Sequence, residues 1–151
     1  TLYGGRGIEP DVKIEPQKFT PLIGRLNEAT FYFVRQLVAG KIASFENAKV
    51  DKQNFSTTAA PNDINVTDKM FEAFRNYAAA DKADGLTAAN IDSQADYAKM
   101  RIREELATAT YSNEAGVRVI LENDPQLTKA VAVVPQAERA RETVAYSRTA
   151  R

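Results

Sequence analysis

One serine and one lysine stand out as a pair that could form a catalytic dyad. Ser44 and Lys69 lie 25 residues apart in the sequence. The serine of a Ser–Lys dyad needs a lysine amine whose pKa is lowered by burial, together with backbone donors for the developing oxyanion. Lys69 follows Asp68 at a predicted helix start, and no glycine-rich turn precedes Ser44. The sequence therefore predicts a surface hydroxyl and a solvated ammonium, and no catalytic residue.

An acidic cluster around a glycine is similar to a calcium-binding loop, and it consists of Asp81, Asp84, Gly85 and Asp92. With the glycine at the turn position of such a loop, the first, third and bidentate ligand positions fall on Ala80, Lys82 and Ile91. None of these can serve there. The cluster is therefore interpreted as a solvated turn between helices.

Three glycines near the start, Gly4, Gly5 and Gly7, could suggest a phosphate-binding loop. Such a loop needs a following helix and usually a Gly-Lys-Ser/Thr ending. Ile8-Glu9-Pro10 follows instead, so we expect no phosphate site.

The charged residues of a third predicted helix also allow a simple interpretation. Arg101, Arg103, Glu104 and Glu105 alternate in sign at helical spacing. This pattern is typical of a solvent-facing helix surface with ion pairs between neighbouring turns.

Composition excludes several classes of chemistry. The chain has 151 residues, with 20 basic and 20 acidic side chains and no histidine or cysteine. Disulfides, cysteine nucleophiles, His-containing metal sites and His-based triads are thereby excluded. A net charge of zero argues against a nucleic-acid partner. We expect no cofactor, no metal ion and no transmembrane segment, because the apolar runs are far shorter than the roughly 20 residues that cross a bilayer.

The elements that would position these residues are helices. Four capping signals, two of them followed by proline, predict helix starts at Thr20-Pro21, Thr67-Asp68, Thr87 and Asp124-Pro125. A further helix is expected to begin around Ser112. The helix after Thr87 is expected to be the longest, with an apolar stripe from Ile91 to Ala109.

Residues 41–66 are expected to be mostly loop, with a short helical turn or an extended segment over the helices. The tail from Gln136 is expected to be a weakly packed helix or a frayed end.

The predicted fold is thus all-α, a bundle-like domain of four or five helices over residues 20–151. Residues 1–19, rich in glycine and proline, are predicted to form an extended arm. Aromatic residues at helical spacing are expected in the core, or in part as an exposed docking patch; they are Phe31, Tyr32, Phe33, Phe71 and Phe74.

The arm carries the most specific motif. Tyr3-Gly4-Gly5-Arg6-Gly7-Ile8-Glu9-Pro10-Asp11-Val12 resembles the end of the catalytic domain of C-terminal processing (tail-specific) serine peptidases. Residues 33–38 and 119–126 are more loosely similar to a helical C-terminal extension found in a bacterial subgroup of that family. The start at Thr1, without a methionine or a signal sequence, suggests a piece of a longer chain.

This resemblance implies a function for the parent chain. Members of the family are serine endopeptidases with a Ser–Lys dyad, usually periplasmic or membrane-associated, and the dyad precedes the Gly-Ile-x-Pro-Asp segment. No catalytic residue is therefore expected after Thr1. The chain would be a non-catalytic helical domain with a packing, oligomerisation or substrate-access role, and its partners would be protein or peptide substrates and a second copy. The alternative is an independent helical protein-interaction domain.

Overall fold

The computed structural model describes residues 12–15, 18–56, 64–81 and 85–149. These residues form six α-helices and no strand, which confirms the all-α prediction. The helices are α1 (Pro21–Val38), α2 (Asp68–Ala80), α3 (Ala88–Asp92), α4 (Ala95–Thr110), α5 (Asn113–Glu122) and α6 (Pro125–Thr149), and a 3₁₀ turn spans Glu46–Ala48. The predicted count of four or five is too low because one predicted helix is divided into α3 and α4.

Helix α1 has the predicted signals at both ends. The Thr20 hydroxyl accepts a hydrogen bond from the Ile23 amide, and Pro21 occupies the first turn. At the other end Gly40 has a φ of 69°, which glycine adopts without strain. The amides of Gly40 and Lys41 donate to the carbonyls of Leu37 and Gln36. This is the Schellman arrangement, and it ends the helix.

Three more helix starts agree with the sequence. The hydroxyls of Thr67, Thr87 and Ser112 each accept a hydrogen bond from the amide three residues ahead. Each bond satisfies one of the amides that a helix start leaves without an internal partner, typically worth about 1 kcal/mol.

The predicted third helix is interrupted at Ser93-Gln94. The Ser93 hydroxyl donates to the Asn90 carbonyl at 2.7 Å, and the Gln94 amide donates to the Ile91 carbonyl. Serine side chains compete in this way with the helical hydrogen bonds. The longest helix is instead α6, whose 25 residues continue through Pro135.

The core lies between α1, α2, α3, α4 and α5. Helix α1 buries Ile23, Leu26, Phe33, Val34 and Leu37. Phe33 packs its ring against Phe74 of α2 at a centroid distance of 5.5 Å. Ile91, Ala98 and Ile102 continue the core through α3 and α4 and have no exposed surface.

Helix α5 buries its small side chains rather than its large ones. Ala115, Gly116 and Val119 face the core, whereas Val117, Ile120 and Leu121, which the sequence singles out as the apolar residues of this helix, are 37–44% exposed. A Cβ atom at Gly116 would lie 2.0 Å from Thr108 Oγ1 of α4. The close approach of the two helices therefore requires glycine at this position.

Residues 41–56 are held against the end of α4. The Gln53 side-chain amide donates to the Thr108 carbonyl at 2.9 Å, and the Asn54 backbone amide donates to the Thr110 carbonyl at 2.8 Å. These carbonyls belong to the last turn of α4, and the carbonyls of a last turn have no amide donors within their own helix. Within the described part of residues 41–66, the 3₁₀ turn and this packed segment agree with the expectation. Residues 57–63 lie outside the described residues.

The described chain forms two compact units. One comprises residues 19–124 with α1 to α5, and the other groups the described residues of the arm with α6. In the second unit Val12, Lys13 and Ile14 border the same depression as Gln126, Ala130 and Val133.

None of the described helices is long and apolar enough to cross a membrane. The division of the chain at residue 19 into arm and helical domain stays a prediction.

Candidate functional site

Ser44 and Lys69 lie at the surface on separate elements. Ser44 is exposed with a φ of 69°, and its backbone amide donates to Glu46 Oε1 at 3.0 Å. Lys69 is exposed in the first turn of α2. Among the described residues no hydrogen bond joins the two, and neither has the buried setting that would activate a serine through a lysine.

The acidic cluster is divided between two helix ends. Asp92 Oδ1 lies 3.3 Å from Arg75 Nε, Asp81 is exposed at the end of α2, and Gly85 has a φ of 60° in the turn before α3. Asp84 is outside the described residues. Within the described ranges no group of three or more carboxylates is placed to hold a metal ion.

The charged face of α4 is largely covered, so the prediction of a solvent-facing cluster is wrong. The side chains of Arg101, Glu104 and Glu105 are only 14–18% exposed. Arg101 Nη1 lies 2.5 Å from Glu104 Oε2, and its Nη2 lies 2.8 Å from Glu105 Oε1. Helix α5 crosses this part of α4, with Gly116 beside the Glu104 carbonyl, so the charges are partly shielded from water.

This shielding changes the proton affinity of one carboxylate. Burial raises the pKa of Glu104 above its ordinary value, and the neighbouring Arg101 offsets that effect only in part. Glu105 adds to the increase by like-charge repulsion. Glu104 is thus a described carboxylate whose charged form the fold disfavours.

The aromatic residues divide between core and surface. Phe33 and Phe74 are completely buried, and Phe71 is half-buried. Phe31 and Tyr32 are 42% and 46% exposed, so their assignment to the core is wrong and they form the exposed subset that the sequence left open. The two rings meet edge-to-face at 5.5 Å. The Arg35 guanidinium lies 5.5 Å from the centre of the Phe31 ring.

A polar groove, which sequence reasoning missed, runs between α4, the end of α5 and the loop residues 64–66. Its volume is about 890 Å³, within the range of about 300–1,000 Å³ usual for ligand pockets. The lining residues are Ile64, Asn65, Val66, Asp96, Lys99, Met100, Arg103, Glu122 and Asn123. We call it the α4–α5 groove. Its signal in the sequence is the row of Asp96, Lys99, Met100 and Arg103 at helical spacing, which only the tertiary fold places opposite Ile64–Val66.

Comparison with protein families, with characterised proteins and with solved structures finds no match for this chain. The residues that resemble a peptidase motif, Tyr3 to Asp11, lie outside the described residues. The likeness therefore depends on the sequence alone.

Proposed function

We propose that this chain is the non-catalytic helical part of a serine endopeptidase similar to the C-terminal processing peptidases. The observation that carries the proposal is the segment Gly7-Ile8-Glu9-Pro10-Asp11-Val12. In peptidases of that type the equivalent segment follows the catalytic Ser–Lys dyad. A chain that continues from this segment would have the dyad before it and no nucleophile of its own.

The chemistry of the described residues is consistent with a non-catalytic role. The chain has no histidine or cysteine, and the nucleophile–base pair that the sequence suggests is Ser44 and Lys69. Both residues are exposed on the surface. The buried part of the chain is instead a continuous apolar core from α1 to α5, which suits a domain that packs, assembles or guides substrate.

The proposal also assigns partners and a location to the parent chain. Its substrates would be unfolded proteins or the C-terminal regions of proteins, and a second copy of the chain is a further candidate partner. The resemblance places the parent in the periplasm or at a membrane.

The test is a proteolysis assay on the whole protein to which this chain belongs. We expect it to degrade a reduced and alkylated, unfolded protein, and we expect this activity to disappear when the serine of the Ser–Lys dyad upstream of the arm is replaced by alanine. A whole protein that has no such dyad, or that leaves the unfolded substrate intact, contradicts the proposal.

The exposed Phe31–Tyr32 pair favours a second candidate, an independent protein-interaction domain. Aromatic residues and arginine are enriched at protein interfaces, and Arg35 lies over the Phe31 ring. For this candidate the double substitution Phe31→Ala and Tyr32→Ala should abolish association with a partner without lowering the melting temperature. Proteolysis by the whole protein separates the two candidates.

A further inference from the structure

The α4–α5 groove is bordered on one side by the loop that leads into α2. Ile64, Asn65 and Val66 precede the cap of α2 and belong to no helix. Ile64 is buried and contributes an apolar wall together with Val66 and Met100. Asn65 between them is exposed. An apolar wall beside a solvent-exposed loop residue can take a peptide in an extended conformation.

The backbone groups of this segment are unpaired. Across the described part of the chain, the amides and carbonyls of Ile64, Asn65 and Val66 take part in no hydrogen bond. Backbone groups are obligatory hydrogen-bonding groups, so unpaired ones at a groove favour pairing with another main chain. The segment is placed to accept a peptide in the manner of an added strand.

One carboxylate that lines the groove, that of Asp96, forms no ion pair with any described residue. Arg103 Nη1 lies 2.6 Å from Glu122 Oε2, and Lys99 Nζ lies 2.7 Å from Asp68 Oδ1. Both cations of the α4 wall are thereby neutralised. Asp96, on the same wall and exposed, has no hydrogen bond or ion pair with any described residue. A ligand that is complementary to this arrangement carries a positive charge.

We infer that the α4–α5 groove binds an extended peptide segment whose backbone pairs with Asn65 and Val66 and whose basic side chain faces Asp96. The wall formed by Ile64, Val66 and Met100 takes an apolar side chain next to the basic one. This inference does not depend on the proposed peptidase, because it follows from the groove alone.

The test is a titration of the complete ¹⁵N-labelled chain with a probe peptide, acetyl-Ala-Val-Lys-Val-Ala-amide, followed by two-dimensional amide NMR. We expect saturable shifts at the amides of Asn65, Val66 and Met100. Two control peptides test separately the contribution of the lysine charge and that of the peptide's backbone amides. Replacing the lysine by glutamate removes the charge complementarity, and N-methylation of the two central amides removes the backbone donors. Each change should weaken or abolish the saturable shifts.

Two variants complete the experiment. Asp96→Asn should weaken binding of the lysine peptide about threefold, within the range expected for one exposed ion pair. Glu28→Gln, at an exposed carboxylate of α1 outside the groove, should leave binding unchanged, and the spectrum of each variant reports whether it is folded. Absence of saturable shifts, shifts confined to residues outside the groove, or equal binding of all three peptides overturns the inference.

Discussion

The close contact between α4 and α5 predicts that one added methyl group, in Gly116→Ala, destabilises the chain. In Gly116→Ala the new Cβ atom would lie 2.0 Å from Thr108 Oγ1 and 3.2 Å from the Glu104 carbonyl oxygen, whereas ordinary contacts begin at 3.4 Å. The substitution therefore forces α5 away from α4 or Thr108 out of its rotamer. Overpacking of this kind typically costs about 1–3 kcal/mol.

The cost is offset by the intrinsic helix preference of alanine over glycine, about 1 kcal/mol. The expected net loss in the free energy of unfolding is about 1 kcal/mol. Gly24 of α1 provides a matched control, because the nearest atom to its added Cβ is Phe19 Cζ at 3.2 Å. The Phe19 ring is 74% exposed and can move, so Gly24→Ala should stabilise the chain by up to about 1 kcal/mol.

Urea denaturation followed by circular dichroism at 222 nm measures both effects. With a slope of about 1–3 kcal/mol per molar urea, a loss of 1 kcal/mol lowers the midpoint by about 0.3–1 M. Adding Thr108→Ala to Gly116→Ala removes the clashing oxygen and should restore most of the stability, which a double-mutant cycle would register as coupling. If Gly116→Ala stabilises the chain as much as Gly24→Ala does, the described packing of α5 on α4 is refuted.

Three further predictions concern the helices and the core. The chain should give a predominantly helical circular dichroism spectrum, and a predominantly β spectrum would contradict the fold. Phe33→Ala, at a ring with no exposed surface, should lower the free energy of unfolding by about 3–5 kcal/mol, whereas Phe31→Ala should change it little; equal losses would contradict the burial. Because the folded state raises the pKa of Glu104, the carboxylate binds protons more readily when folded, and its destabilising effect is complete above the folded pKa and fades as the pH falls toward the unfolded value. Glu104→Gln should therefore stabilise the chain at pH 7 and have a smaller effect near pH 4, and urea midpoints that show the opposite trend would be inconsistent with this burial.

Local signals in the sequence predicted most of the helix ends correctly. Thr20, Thr67 and Thr87 cap helices as predicted, because a hydroxyl can accept from an amide three residues ahead, a contact that depends only on nearby residues. The buried face of α1 was also predictable, because Ile23, Leu26, Thr30, Phe33 and Leu37 recur every three or four residues.

Features set by tertiary contacts were not predictable in this way. Hydrophobic periodicity directs attention to Val117, Ile120 and Leu121, whereas α5 is oriented by the close approach at Gly116, where only a missing side chain permits contact. The partial burial of Arg101 and Glu104 has the same origin, since it depends on where α5 crosses α4. The α4–α5 groove needs both helices and residues 64–66 in place before it exists.

The central claim is that the chain is a non-catalytic helical domain. The most direct test is a hydrolysis assay on the 151-residue chain by itself. The purified chain is incubated with a reduced and alkylated, unfolded protein and, in parallel, with a serine-directed fluorophosphonate. We predict no cleavage and no labelling, because Ser44 is exposed, no hydrogen bond joins it to Lys69 among the described residues, and Lys69 is itself exposed in the first turn of α2. Cleavage or labelling that disappears in Ser44→Ala would contradict the claim and make the chain an enzyme in its own right.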